Sequence, residues 1–202
     1  MFQKALSTSV PALFAAVVGA AVAAAGTEPT RADALSMRQK VADVAAFGER
    51  APQRLNRTTI TENELNAYLI YDARDQMPPG VVDPSVSIAG AGRLSARAVV
   101  DLDAVRRQKS SRGLLDPLSY AGGRLAITAS GVLTAVNGMG RFTLESATMA
   151  GVPIPKSILQ EIVSYYSRTP GNPAGIGLDD PFPLPARIRE IQVEAGRAIV
   201  IQ

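Results

Sequence analysis

Paired carboxylates are the residues of this sequence that come closest to a chemical site: Asp72 with Asp75, Asp101 with Asp103, and Asp179 with Asp180. Two carboxyl groups in a water-poor cleft can divide the roles of acid and base, because each raises the cost of ionising the other. None of these pairs sits in a pattern that demands such a cleft. Asp101 and Asp103 lie two apart in an alternating stretch and share a strand face, the wet one, which also carries Arg93 and Arg97. Ion pairing on that face accounts for them. Asp72 and Asp75 are three apart near a predicted helix end, with Arg74 between them. Asp179-Asp180 could ligate calcium but lacks the regular ligand spacing of a calcium loop. The chain has no histidine and no cysteine. That removes the commonest general base and metal ligand, together with thiol chemistry, disulfides and a lipidated N-terminal cysteine. Nucleophile-elbow, P-loop and dinucleotide fingerprints are absent as well. The expectation is a protein that is not an enzyme, with no metal and no cofactor.

A second group that could do chemistry is basic. Arg106, Arg107, Lys109 and Arg112 cluster in a connector containing Ser and Gly. Such a run is either a solvated loop or a contact for anionic lipid headgroups. The whole chain balances 21 basic against 18 acidic residues, for a net charge of +3. Its arginines are scattered, Trp is absent and aromatics make up 5%. Nucleic acid is therefore not the expected partner, and stacking platforms for sugars or single strands are thin.

The element that must position these residues is the stretch from Val86 to Val152. Leu94, Ala96, Ala98, Val100 and Leu102 alternate with polar residues, which puts them on one face of a strand. The alternation resumes at Leu125, Ile127 and Ala129, and again at Leu133 and Ala135. It returns through Phe142 and Leu144 after Asn137-Gly138, a favoured tight-turn pair. Gly90 and Gly92 read as a bulge or bend. The expected fold class is α+β: a long curved antiparallel β-meander, greasy on one face, packed on one or two long helices, with a C-terminal β-hairpin.

The covering helices are predicted on either side. Ala34 to Phe47 has helical spacing, with Leu35, Val41, Val44 and Phe47 as its stripe and Gly48 closing it. Ala51 to Arg57 reads as a linker. Thr61 and Glu64 form a capping box that starts a second helix, with Leu65, Tyr68 and Leu69 on one face. Lys156 to Ser167 predicts another, burying Ile158, Leu159, Ile162, Val163 and Tyr166. A Pro- and Gly-rich loop spans Thr169 to Pro185, and a hairpin turning at Ala195-Gly196 ends the chain. Residues 1–34 read as a signal peptide, or alternatively an uncleaved anchor, around the apolar run Val10 to Ala25. Residues 35–202 are then one domain, periplasmic or secreted.

This order carries a resemblance. It runs from a leader to Ile60-Thr61-Glu62-Asn63-Glu64-Leu65-Asn66 opening a helix. A meander with Val100-Asp101-Leu102-Asp103, a further helix and the hairpin Ile191 to Ile201 follow. The layout resembles bacterial envelope proteins of the tubular lipid-binding (TULIP-like) superfamily, including the YceB-type lipoproteins. The YceB-type proteins have a lipidated cysteine that is absent here. The resemblance implies a curved sheet around a helix with acyl chains in the apolar gap, and no catalytic residues. The groove would be lined by Leu65, Leu69, Leu94, Ala98, Val100, Leu125, Ile127, Phe142, Leu144, Ile162 and Tyr166. Arg106, Arg107, Lys109 and Arg112 would be the headgroup contact. A lipid or other amphiphile is the expected partner, with an anionic membrane surface as a further one. The same apolar residues would also make an ordinary dry core. An envelope assembly factor pairing through strand edges is the competing expectation.

Overall fold

A computed structural model describes residues 28–50, 54–77, 80–108, 123–166, 168 and 172–202. The proposed leader through residue 27 lies outside the described residues, as do Lys109 and Arg112. No described helix is long and apolar enough to cross a membrane.

The alternating stretch folds as antiparallel strands, because a period of two lets one face be apolar and the other polar. They are β2 (Val81–Gly90), β3 (Arg93–Asp101), β4 (Arg124–Val136) and β5 (Met139–Met149), lying side by side in chain order. Short strands β6 (Val152–Pro153) and β7 (Phe182–Pro183) pair with the two ends of β5 and complete a six-stranded sheet. Asn137 and Gly138 turn the chain between β4 and β5 with φ of 54° and 77°, as the tight-turn pair predicts. The bulge or bend expected at Gly90 and Gly92 is present: the register shifts between Ile88 and Gly90 at the end of β2, and Ala91-Gly92 turn the chain into β3.

A second sheet has three strands in the order β1-β9-β8. Strand β1 (Arg57–Thr61) was hidden between the expected linker and the second helix. Its Thr58, Thr59, Ile60 and Thr61 are β-branched and pair with β9 (Arg197–Ile201). The terminal hairpin of β8 (Glu190–Glu194) and β9 turns at Ala195-Gly196, as expected. Backbone hydrogen bonds stitch the two sheets together, with Gly196 N–H donating to Ile88 O at 2.8 Å and Gly138 N–H to Arg189 O at 2.9 Å.

Helix α1 (Arg31–Arg50) packs on this small sheet. Its Val44 joins Ile188 and Val200 in the buried core, flanked by Ile60, Leu184 and Ile191. The buried stripe is Ala34, Met37, Val44 and Gly48, whereas the expected Leu35 and Val41 are 58% and 42% exposed. Gly48 does not close the helix; it lies inside it and is buried. Helix α2 (Glu62–Tyr71) starts at the predicted capping box, where Glu64 N–H donates to Thr61 Oγ1 at 3.2 Å and Thr61 N–H to Glu64 Oε2 at 2.9 Å.

Helix α2 meets the meander at the edge of β2. The Asn66 amide both donates to Val86 O at 2.8 Å and accepts from Val86 N–H at 2.7 Å. Glu62 Oε2 accepts from Ile88 N–H at 2.6 Å. These side chains occupy the backbone groups that a neighbouring strand would otherwise seek, which blunts that edge.

Helix α3 (Leu102–Gln108) interrupts the meander and corrects one expectation. Asp101 ends β3 while Asp103 belongs to the helix, so the two do not share a strand face. Asp101 instead accepts from Ala104 N–H at 2.9 Å, and that bond, helped by Arg124 and Arg107, holds its carboxyl below the usual range. Arg106 and Arg107 are therefore helical residues, not part of a loop. Helix α4 (Lys156–Tyr166) falls where its spacing placed it, but Ile158, expected on its buried side, is 49% exposed because it sits in the first turn, one residue ahead of half-buried Leu159.

Candidate functional site

Strand register sets the apolar face of the large sheet. Residues directly opposite one another across antiparallel strands share a face. Val81, Val100 and Leu125 form one such row, and Ala98, Ile127 and Met149 another. Leu94, Gly131 and Leu144 form a third, with Leu133 opposite Phe142 beyond it. The reverse face is polar across its middle, where Ser95, Ser130 and Ser146 align across three strands, as do Arg97, Thr128 and Thr148, while Val82, Val99 and Ala126 form an apolar row at its α3 end. Ser130 and Ser146 bond through their hydroxyls at 2.7 Å.

Seven of the expected groove residues thus lie on one sheet face: Leu94, Ala98, Val100, Leu125, Ile127, Phe142 and Leu144. All of them are half-buried. Where the small sheet docks, Ile88 and Ala135 are buried; at the same level of the sheet as Val86, Ala96 is exposed. Leu65 and Leu69 stand on α2 beside the β2 edge, both half-buried. Ile162 and Tyr166 lie on the backbone of α4, with side chains outside the described residues. Arg107 is exposed on α3, and the side chain of Arg106 lies outside the described residues.

Grooves extend the apolar face at two places. One of ≈ 250 Å³ joins Leu69, Ile70 and Met77 to Val81 and Val82 at the Val100 end. Another of ≈ 410 Å³ lies between Phe142, Val163 of α4 and the segment bearing Ile176, Leu178 and Phe182. Close approach builds the second groove: a Cβ on Gly131 would come within 2.7 Å of the Phe142 ring, and one on Gly140 within 2.5 Å of the Phe182 ring. Glycine leaves room for both rings against the strands. Ile176 and Phe182 remain 53% and 42% exposed, an unusual state for such side chains in one groove. Sequence reasoning missed these two because prolines and glycines surround them. Val81 was missed because Pro84 makes its neighbourhood look like a turn.

At least one carboxylate of each acidic pair has a structural partner. Asp72 accepts from Nε and Nη2 of Arg38, Asp179 pairs with Lys156 at 2.6 Å, and Asp180 accepts from Gly177 N–H at 2.7 Å. Among the described residues no group of three His, Cys, Asp or Glu could hold a metal ion. The most tightly held carboxylate is Glu64, only 7% exposed, which receives Lys40 Nζ at 2.6 Å and 2.7 Å and Ser36 Oγ at 2.5 Å. Burial opposes its charge, but the bonds from Lys40, Ser36 and Thr61 outweigh burial and bring its pKa down to about 2. This network ties α1 to α2 and β1, since Lys40 also donates to Thr59 O at 2.7 Å. What the arrangement offers chemically is an apolar surface with grooves at its ends. No family model, curated protein or solved structure matches this chain.

Proposed function

We propose that this protein binds the apolar chains of a lipid or similar amphiphile against the large sheet, in the periplasm or outside the cell, for transport or envelope maintenance. On this reading it is a non-enzymatic member of the TULIP-like class. The observation that carries the reading is the set of rows of half-buried apolar residues from Val100 through Ile127 to Leu144, on a sheet whose reverse face is polar across Ser95, Arg97, Thr128, Ser130 and Ser146. An ordinary sheet covers such a face fully. Burying one acyl chain there would contribute on the order of 10 kcal/mol before entropic costs, at about 0.8 kcal/mol per methylene.

Ala98→Phe tests it. Ala98 is half-buried opposite Ile127. On a ligand-bearing face the new ring takes the place of the chain, so the variant keeps its melting temperature and loses lipid. In a closed core the same ring costs about 1–3 kcal/mol. Melting and native mass spectrometry on protein purified from its own envelope without detergent separate the two. A lowered melting point, in a protein that carried no lipid beforehand, refutes the proposal.

The basic residues add a membrane contact to this reading. Arg106 and Arg107 on α3, with Lys109 and Arg112 after them in the sequence, would engage anionic headgroups. Binding to phosphatidylglycerol vesicles should weaken as salt rises and vanish when all four are replaced by Gln. Unchanged binding by that variant removes this contact.

A second reading, an assembly factor working through strand pairing, is favoured by β5. Among the described residues its outer edge takes strand pairing at Met139–Gly140 and Thr148–Met149 and a further bond from Ile154 N–H to Ala147 O. Protein that carries no lipid but co-purifies with a partner chain, in a manner lost on placing proline at Thr143, would favour it.

A further inference from the structure

On the polar side of the large sheet a cleft of ≈ 380 Å³ lies between the first turn of α2 and strands β2 and β3. Glu62 and Arg97 both line it, with Ser85, Ser87, Ser95 and Thr128, and with Asn66, Val86 and Ala96 at the β2 edge. The bonding within the cleft is incomplete at both charges. Glu62 Oε2 accepts from Ile88 N–H at 2.6 Å and from Ser87 Oγ at 3.3 Å, while its Oε1 takes no hydrogen bond from any described residue. Arg97 is exposed, and its guanidinium makes no ion pair or hydrogen bond with a described residue. Its neighbours on the same face differ, since Arg93 reaches Glu145 at 3.7 Å and Arg124 reaches Asp101 at 3.6 Å. Ser85 and Ser95 likewise have no side-chain hydrogen bond to a described residue.

We propose that this cleft binds a small zwitterionic group, a phosphate joined to a primary ammonium, as in phosphoethanolamine. A simple anion drawn to Arg97 would meet the Glu62 carboxylate, and a simple cation drawn to Glu62 would meet Arg97. A ligand carrying both signs satisfies both. The guanidinium fork takes two phosphate oxygens, and the hydroxyls of Ser85 and Ser95 supply further donors that a tetrahedral oxyanion uses and a planar carboxylate leaves idle. The ammonium donates to the open Glu62 Oε1. Because Arg97, Ser85, Ser87 and Ser95 stand on the face opposite the apolar rows, this site stands whether or not acyl chains bind there.

Calorimetric titration with O-phosphorylethanolamine tests the proposal. Saturable binding is expected in about the millimolar range, weakened about tenfold in Arg97→Gln. Glu62→Gln keeps an oxygen for Ile88 N–H but loses the charge. It should weaken O-phosphorylethanolamine several-fold without weakening inorganic phosphate. Unchanged melting temperatures show that both variants fold. Absence of saturable binding by the parent, or equal affinity in Arg97→Gln, overturns the proposal. Flotation with neutral vesicles then separates the source of the ligand. Stronger binding to phosphatidylethanolamine-containing vesicles than to pure phosphatidylcholine, lost in Arg97→Gln, assigns a lipid headgroup. Binding of the free compound without that preference assigns a soluble one.

Discussion

Glu64→Gln should lower stability by about 3 kcal/mol at neutral pH, and the difference from the parent should disappear in acid. The carboxylate is 7% exposed and accepts from Lys40, Ser36 and both the backbone and the hydroxyl of Thr61. Gln can replace the capping contact to Thr61 but not the charge. Lys40, whose side chain is 29% exposed, is then left with Thr59 O and partial solvent in place of an ion pair. Breaking a buried pair on one side costs about 3–5 kcal/mol, and the partial exposure of Lys40 places this case at the lower end.

The direction of the pH effect follows from the depressed pKa. Glu64 goes from an ordinary value of 4.5 to about 2 on folding, so the unfolded chain takes up its proton first as pH falls. The stabilisation is complete above pH about 5 and is lost as pH falls through 4.5 towards 2. Each tenfold weakening of proton binding corresponds to about 1.4 kcal/mol, which leads to the same figure of about 3 kcal/mol. Urea unfolding of both proteins between pH 7 and 2 checks this. Parallel curves, with the gap persisting at pH 2, would show that Glu64 acts through shape and not through charge. Asp33 and Asp101, also held below the usual carboxylate range by local hydrogen bonds, leave some acid sensitivity in the variant.

The capping box at Thr61 and Glu64 was legible, but the third role of Glu64 was not. Capping needs only residues three apart, whereas Ser36 and Lys40 reach Glu64 across a connection of more than twenty positions. The same division runs through the fold. The α+β class, the Asn137-Gly138 turn, helix α4 and the terminal hairpin all rest on short-range patterns, and the structure contains them. Strand β1 rests on pairing with β9, far away in sequence, and its five residues carry too little alternation to stand out. Helix α3 breaks the alternation after Asp101, where one more apolar residue, Leu102, continues the strand pattern in sequence but is buried at the start of the helix. For the apolar site, register placed Leu94, Ala98, Val100, Leu125 and Ile127 on one face as alternation requires. Alternation says nothing of what stands over that face. Helix α2 takes the edge of β2 because Asn66 and Glu62 can bond strand backbone, a use of polar residues that hydrophobic spacing cannot reveal.

Gly48→Ala separates local preference from packing by the sign of its effect. Within a helix, alanine is favoured over glycine by about 1 kcal/mol, so a glycine with no tertiary role should be stabilised by the change. Here a Cβ would stand 2.4 Å from Ala186 O, 2.7 Å from Ala186 C and 2.9 Å from Ala186 Cα. All three are backbone atoms, so no side chain can swing aside. The backbone itself is held: Ala186 and Arg187 have φ of 50° and 55°, and Ile188 N–H donates back to Pro185 O at 3.0 Å. The buried Gln202 side chain clamps the joint, donating to Ala186 O at 2.7 Å and to Val44 O of α1 at 2.8 Å. A methyl group must therefore push α1 away from the small sheet, opening the contact of Val44 with Ile188 and Val200. Overpacking of this kind costs about 1–3 kcal/mol, and unyielding neighbours place it at the upper end, with the lost Gln202 bonds adding to it. The net expectation is a loss of about 3 kcal/mol, or about 6–12 °C in melting temperature for a domain of this size. A variant that melts at or above the parent would mean that the joint yields, and that Gly48 is only a tolerated residue of α1.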